Sequence, residues 1–107
     1  MRIRIRDHAT FQADKMAKIA LATTSRAQLD LYCLEPGQSQ KAHTHADQDK
    51  IYVVLEGRGR FSLDGVESAL EAGELIVAPA GAAHGVVNDS GARLLLVVVV
   101  APPQPHA

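Results

Sequence analysis

The sequence predicts an all-β protein, a sandwich or barrel built from short strands. Three observations point there. Short β-branched or alternating stretches recur along the chain, glycine, proline and Asn/Asp turn signals separate them at close intervals, and helical periodicity is scarce. A length of 107 residues provides for a single domain over residues 1–107, with one core and little left for a second.

Met1 to Asp7 alternates basic and apolar residues and holds no continuous apolar run that could form the core of a secretory signal. The protein is therefore expected in the cytoplasm. Ala27 to Leu34 places Leu29, Leu31 and Cys33 on one strand face, and Glu35-Pro36-Gly37 ends it with turn chemistry. A loop carrying two histidines follows. Ile51 to Leu55 reads as a strand, Gly57 and Gly59 interrupt it, and Arg60 to Leu63 resumes before the hairpin signal Asp64-Gly65. Val66 to Leu70 is the return strand. Leu75 to Ala78 runs into Pro79-Ala80-Gly81, which cannot continue an inner ladder because proline lacks the N–H. Val86-Val87 and the run Arg93 to Ala101 flank the turn Asn88 to Gly91, and the proline-rich tail over 102–107 reads as extended and loosely held.

Composition excludes several function classes. With 11 basic and 12 acidic residues the net charge is -1, which offers no footprint for DNA, RNA or an anionic membrane. The apolar run Leu94 to Ala101 is far shorter than the roughly 18 residues of a membrane-spanning helix. The single cysteine, Cys33, has no intrachain partner and reads as a buried structural thiol.

The chemistry lies in the histidines. His43 and His45 are one residue apart, so an extended backbone directs both imidazoles to the same side. His84 follows a proline-glycine turn, where a loop can aim a side chain into a barrel mouth. Three neutral imidazoles suit zinc, iron, copper or nickel better than magnesium or calcium. An isolated His-x-His pair is equally readable as a polar loop.

The surrounding residues carry more. Gly37 to Gly57 reads GQSQKAHTHADQDKIYVVLEG and Gly73 to Asn88 reads GELIVAPAGAAHGVVN. These segments resemble the two motifs of the cupin superfamily, G-x5-H-x-H-x(3,4)-E-x6-G and G-x5-P-x-G-x2-H-x3-N. The first matches at both glycines and both histidines. The second matches at Gly73, Pro79, Gly81, His84 and Asn88. The resemblance spans roughly half of the chain and implies a cupin jelly-roll barrel of two antiparallel sheets, with His43, His45 and His84 pointing inward to hold one divalent transition metal ion, Fe, Mn, Zn, Ni or Cu.

One position departs from the motif. Where the family has a metal-binding glutamate this chain has Lys50, and a protonated lysine beside a divalent cation is repelled. Lys50 must turn away, lose its proton, or mark a site without metal. Strand parity adds a fourth reading: if Ile51, Val53 and Leu55 face inward, so does Asp49, which then replaces the glutamate. The motif alignment instead places Lys50, Tyr52 and Val54 inside, with Gln48 sharing their parity, and this register carries more weight.

Other residues read more plainly. His8 and His106 lie near the termini without convergent neighbours and read as solvated. Gly57-Arg-Gly59-Arg60 lacks the following helix that a phosphate-binding loop needs. Tyr52 and Phe61 suit a core as well as a pocket, and Asn88 suits a turn as well as a ligand contact.

Fold alone does not choose a function. Three-histidine cupin sites imply metal-dependent chemistry on a small organic molecule, with dioxygenases as the subclass to test first and isomerases beside it. The alternative is a non-catalytic module that binds a small sugar or anion, with Lys50 contacting the anion. Aliphatic residues on both faces of Ile51 to Leu55, and at nearly every position of Leu94 to Val100, exceed what one small interior can use, which predicts a homodimer.

Overall fold

The computed structural model describes residues 1–103. His106 and the rest of the tail beyond Pro103 lie outside the described residues. Nine strands occur among the described residues: β1 (Ala17–Thr23), β2 (Gln28–Leu34), β3 (Ser39–Thr44), β4 (Asp49–Glu56), β5 (Arg58–Leu63), β6 (Val66–Glu71), β7 (Leu75–Ala78), β8 (Ala83–Val87) and β9 (Leu94–Ala101). They form a five-stranded sheet in the order β1-β2-β9-β4-β7 and a four-stranded sheet in the order β3-β8-β5-β6, with every pairing antiparallel. This is the expected jelly roll of two antiparallel sheets.

Two elements differ from the sequence reading. The histidine loop is largely a strand, β3, because its backbone pairs with β8. Strand β1 had no counterpart in that reading: its residues include three alanines, which carry little β-strand signal, and its apolar members Ile19 and Leu21 are only half-buried.

The interior between the sheets is apolar at one end and polar at the other. Tyr52, Val54, Leu94 and Leu96 of the large sheet pack with Phe61, Leu70 and Val86 of the small one. A second cluster, Ala17, Leu31, Cys33 and Leu95, lies on the outer face of the large sheet. Ile5, Ala9 and Phe11 pack against it, so the N-terminal segment covers part of the surplus apolar surface. On the same sheet Leu75 and Val77 stay 57% and 46% exposed. No helix among the described residues is long and apolar enough to cross a membrane.

Gly57 shows why the motif needs a glycine between β4 and β5. Its φ is +85°, and a Cβ there would collide with the carbonyl oxygen of Arg93.

Candidate metal centre

The polar end of the interior is assembled by register. Along β3, Gln40 pairs with Val86 but His43 pairs with His84, so β3 holds one residue more than β8 between these rungs. This β-bulge reverses the alternation of β3. Gln40 points inward, where its side-chain carbonyl accepts a 2.8 Å hydrogen bond from Tyr52 Oη. Without the bulge the next inward positions would be Ala42 and Thr44. With it they are His43 and His45. Gly85 lies beside the bulge, and a Cβ on it would stand 2.8 Å from both Ala42 N and Gln40 O.

Turns hold the other side. Asp64 in the β5–β6 hairpin exchanges two hydrogen bonds with the backbone of Ala83, next to His84. Gly81 N donates to the carbonyl of His45 at 2.8 Å, which ties the Pro79 to Gly81 turn to the first histidine pair.

These constraints bring the three imidazoles together. Ring centroids lie 4.8 Å apart for His43 and His45, 4.4 Å for His43 and His84, and 5.7 Å for His45 and His84. One nitrogen from each falls within 4.8 Å of the others. Nitrogens about 2.1 Å from a common ion lie at most about 4.2 Å apart, so a slight turn of the rings closes the set.

The protonation pattern fits a metal. His43 Nδ1 lies 2.8 Å from the Lys41 carbonyl and His84 Nδ1 lies 3.0 Å from that of Ala82. A carbonyl only accepts, so each Nδ1 carries a proton, and in the neutral ring Nε2 is then the atom with a lone pair to offer a metal. His84 Nε2 is buried with no partner among the described residues, a state that costs about 1–3 kcal/mol unless a ligand relieves it. Burial holds His84 and His45 below the ordinary histidine pKa, and the neighbouring His43 and Lys50 push both the same way. Both rings thus stay neutral, as metal ligation requires.

The facing wall belongs to the large sheet. Lys50 is 2% exposed and shares the inward parity of Tyr52 and Val54. The register from motif alignment therefore holds, and the alternative with Asp49 inside does not: Asp49 is exposed and its carboxylate accepts a 2.9 Å hydrogen bond from Ala80 N. The Lys50 ammonium sits 5.2 Å from the Tyr32 ring centre and 5.3 Å from that of Tyr52. Burial is the main cause that pushes its pKa down to about 8, Lys18 adds to the effect, and Asp30 opposes it. Asp30 is 1% exposed, and both its oxygens take the Gln28 amide at 3.0 Å. Gln48 is buried, but its amide nitrogen donates to the Pro102 carbonyl at 3.0 Å. Asn88 is a turn residue: it donates to the carbonyls of Leu34 and Ala92 and accepts from Ser90.

Residues 30–100 match the cupin domain family. The chain is a cupin. Its fold agrees with that of the TT1209 protein of Thermus thermophilus at a TM-score of 0.92, with 43% identity over 98% of this chain and 100% of that one. A Klebsiella pneumoniae protein with a double-stranded β-helix domain superposes at a TM-score of 0.88, covering 94% and 89% of the two chains at 22% identity, which bears on fold alone. A Thermotoga maritima protein named an oxalate-binding protein is 30% identical over 67 residues, 63% of this chain and 55% of that protein. The chain spans about half the length of the curated relatives it matches.

Within this cupin the first motif's glutamate position is thus a buried cation facing the histidine end of the barrel. Reasoning along the sequence missed the residues around it. Asp30, Gln28 and Lys18 reach Lys50 only through strand pairing, β1 to β2 and then across β9 to β4, which no local pattern reveals.

Proposed function

We propose that this cupin holds one divalent transition metal ion, Fe, Mn, Zn, Ni or Cu, on His43, His45 and His84 and uses it on a small organic molecule. The observation that carries this reading is the buried Nε2 of His84, which has no partner among the described residues while two further imidazole nitrogens converge on it. An ion on three protein ligands keeps open positions, where it supplies Lewis acidity or dioxygen chemistry to a bound substrate. The chain's own residues do the rest. Lys41 and Ala82 carbonyls orient the His43 and His84 rings, burial favours the neutral form of His45 and His84, and the tyrosines and aliphatic residues at the barrel's apolar end exclude water. A dioxygenase is the first activity to assay.

Metal analysis of the purified protein after dialysis tests the centre: close to one ion per chain is expected, and either His43→Ala or His84→Ala should abolish it. Full occupancy in either variant overturns the ligand set.

A second reading has its own support. Lys50 lies in the same interior with no ion-pair partner among the described residues, and one relative is named for oxalate binding, so a non-catalytic cupin that binds a small anion fits as well. Protein that stays metal-free and gains no activity with any of the five metals favours this binder.

The chain is further proposed to be a cytoplasmic homodimer. The single, fully buried Cys33 calls for no disulfide, which suits a cytoplasmic setting. Edge strand β7 has no partner on its outer side among the described residues, and with half-buried Ile51 and Val53 its exposed Leu75 and Val77 offer an apolar face that a second copy can cover.

A further inference from the structure

We propose that Lys50 is the specificity-determining anchor for a carboxylate, so that the ligand is a small two-headed organic anion with one end on Lys50 and the other facing His43, His45 and His84. The second contact rests on the three-histidine reading above, and the first does not.

Three observations converge on the anchor. The Lys50 side chain is almost wholly buried, yet no acceptor among the described residues hydrogen-bonds its ammonium and no carboxylate lies within ion-pair distance. His84 Nε2 is the one fully enclosed polar atom without a partner among the described residues, so the Lys50 ammonium still touches accessible space inside the barrel, and its three N–H groups can only donate. Its complement is an acceptor, and a charged one is strongest. The neighbouring acceptors make other contacts, Asp30 with the Gln28 amide and Tyr52 Oη with Gln40, and neither hydrogen-bonds the ammonium. The tyrosine rings at 5.2 and 5.3 Å hold the cation in place through their faces without satisfying its N–H groups.

Charge balance sets the ligand's sign. Among the described residues the buried charged side chains are Asp30 and Lys50, and exposed Lys18 approaches the Tyr32 ring at 5.5 Å, adding positive potential at the rim. A dication on three neutral imidazoles leaves this interior strongly positive, and a dianion offsets the excess that neutral sugars or amides cannot. Geometry sets its size. The Tyr52 ring lies 5.9 Å from the His84 ring and 5.3 Å from the Lys50 ammonium, so both heads of the ligand meet across one aromatic side chain. The two ends thus lie within the span of one short diacid.

The test measures binding, not turnover. Zinc-loaded protein is titrated calorimetrically with oxalate, malonate and succinate, and with their uncharged diamides, using wild type, Lys50→Met and Lys50→Arg, with zinc content checked in each. At least one dicarboxylate should bind wild type and its diamide should not. Lys50→Met should weaken that binding about tenfold or more at unchanged zinc content, and Lys50→Arg should retain most of it. If zinc is bound but no dicarboxylate binds, or Lys50→Met binds as wild type does, the anchor is wrong and the metal reading stands. If wild type takes up no zinc but still binds a dicarboxylate in a Lys50-dependent way, the anchor stands and the metal reading is wrong. Neither zinc nor dicarboxylate binding overturns both. Should Lys50→Met fail to fold, Lys50→Gln with the same readout replaces it, equal binding again being the overturning result.

Discussion

His43 stands directly opposite His84 on the β3–β8 ladder, one residue out of step with the pairing of Gln40 to Val86. The offset makes the centre depend on Gly85, whose missing side chain leaves room for the displaced backbone of Ala42. Gly85→Ala should therefore cost metal affinity about tenfold or more while the strand signal in circular dichroism persists. Thermal melts with and without zinc check it: the zinc-induced rise in Tm should shrink or vanish, and an undiminished rise would show that the bulge does not set the ligand geometry.

Lys50→Glu replaces a cation by a carboxylate inside the barrel, a change of two charges beside the proposed ion. Zinc affinity should rise by about tenfold or more, since carboxylate oxygen is an acceptable ligand. Asp49→Ala should leave affinity unchanged, because Asp49 faces out and caps the Ala80 N–H. Competition against a fluorescent chelator measures both, and weaker zinc binding by Asp49→Ala would reverse the assignment.

Lys50 also predicts a pH dependence in the metal-free protein. Its folded pKa lies near 8, below the ordinary 10.5, so the unfolded chain binds the extra proton between these values. Stability from this group is therefore absent at pH 7 and grows as pH rises from about 8 towards 10. Burial raises the pKa of Cys33, Tyr32 and Tyr52, which works in the opposite direction at the alkaline end. The informative quantity is thus the difference between wild type and Lys50→Met in urea unfolding. Lys50→Met should be the more stable by a margin that narrows from pH 7 to pH 10; a constant margin would mean that the lysine is not desolvated.

Asn88 separates framework from chemistry. Removing its four hydrogen bonds through Asn88→Ala should destabilise the fold by about 1–3 kcal/mol, because the Leu34 carbonyl loses its side-chain donor and the Ala92 carbonyl keeps only Ser90 Oγ. Zinc stoichiometry of the folded variant should stay at the wild-type value.

The proposed dimer is tested by light scattering at micromolar concentration. Wild type should have the mass of two chains and Val77→Glu that of one, since a charge on the 46% exposed Val77 opposes burial against a second copy. A monomeric wild type contradicts the proposal.

Much of the barrel was legible in local pattern. The fixed spacing of His43, His45, Pro79, Gly81 and His84 survives any register, and the motif frame put Lys50, Tyr52 and Val54 inside, where they are buried. What escaped depends on partners distant in sequence. The bulge at Ala42 exists only relative to β8, and β1 is a strand through its pairing with β2 rather than through its alanine-rich residues. The Gln28 and Asp30 pair joins the Lys50 wall because β9 lies between β2 and β4, a neighbourhood set by topology.

The histidines ride on one sheet and its following turn, while Lys50 rides on the other, with Phe61, Val86 and Leu70 wedged against Val54 and Leu96 between the two layers. Those aliphatic and aromatic side chains act as spacers. In the two-headed binding mode proposed above, the distance between the ligand's heads would follow the thickness of these spacers. A descendant of this barrel could thus accept a longer or shorter acid by exchanging one core side chain for a bulkier or slimmer one, with every residue that touches the ligand left as it is.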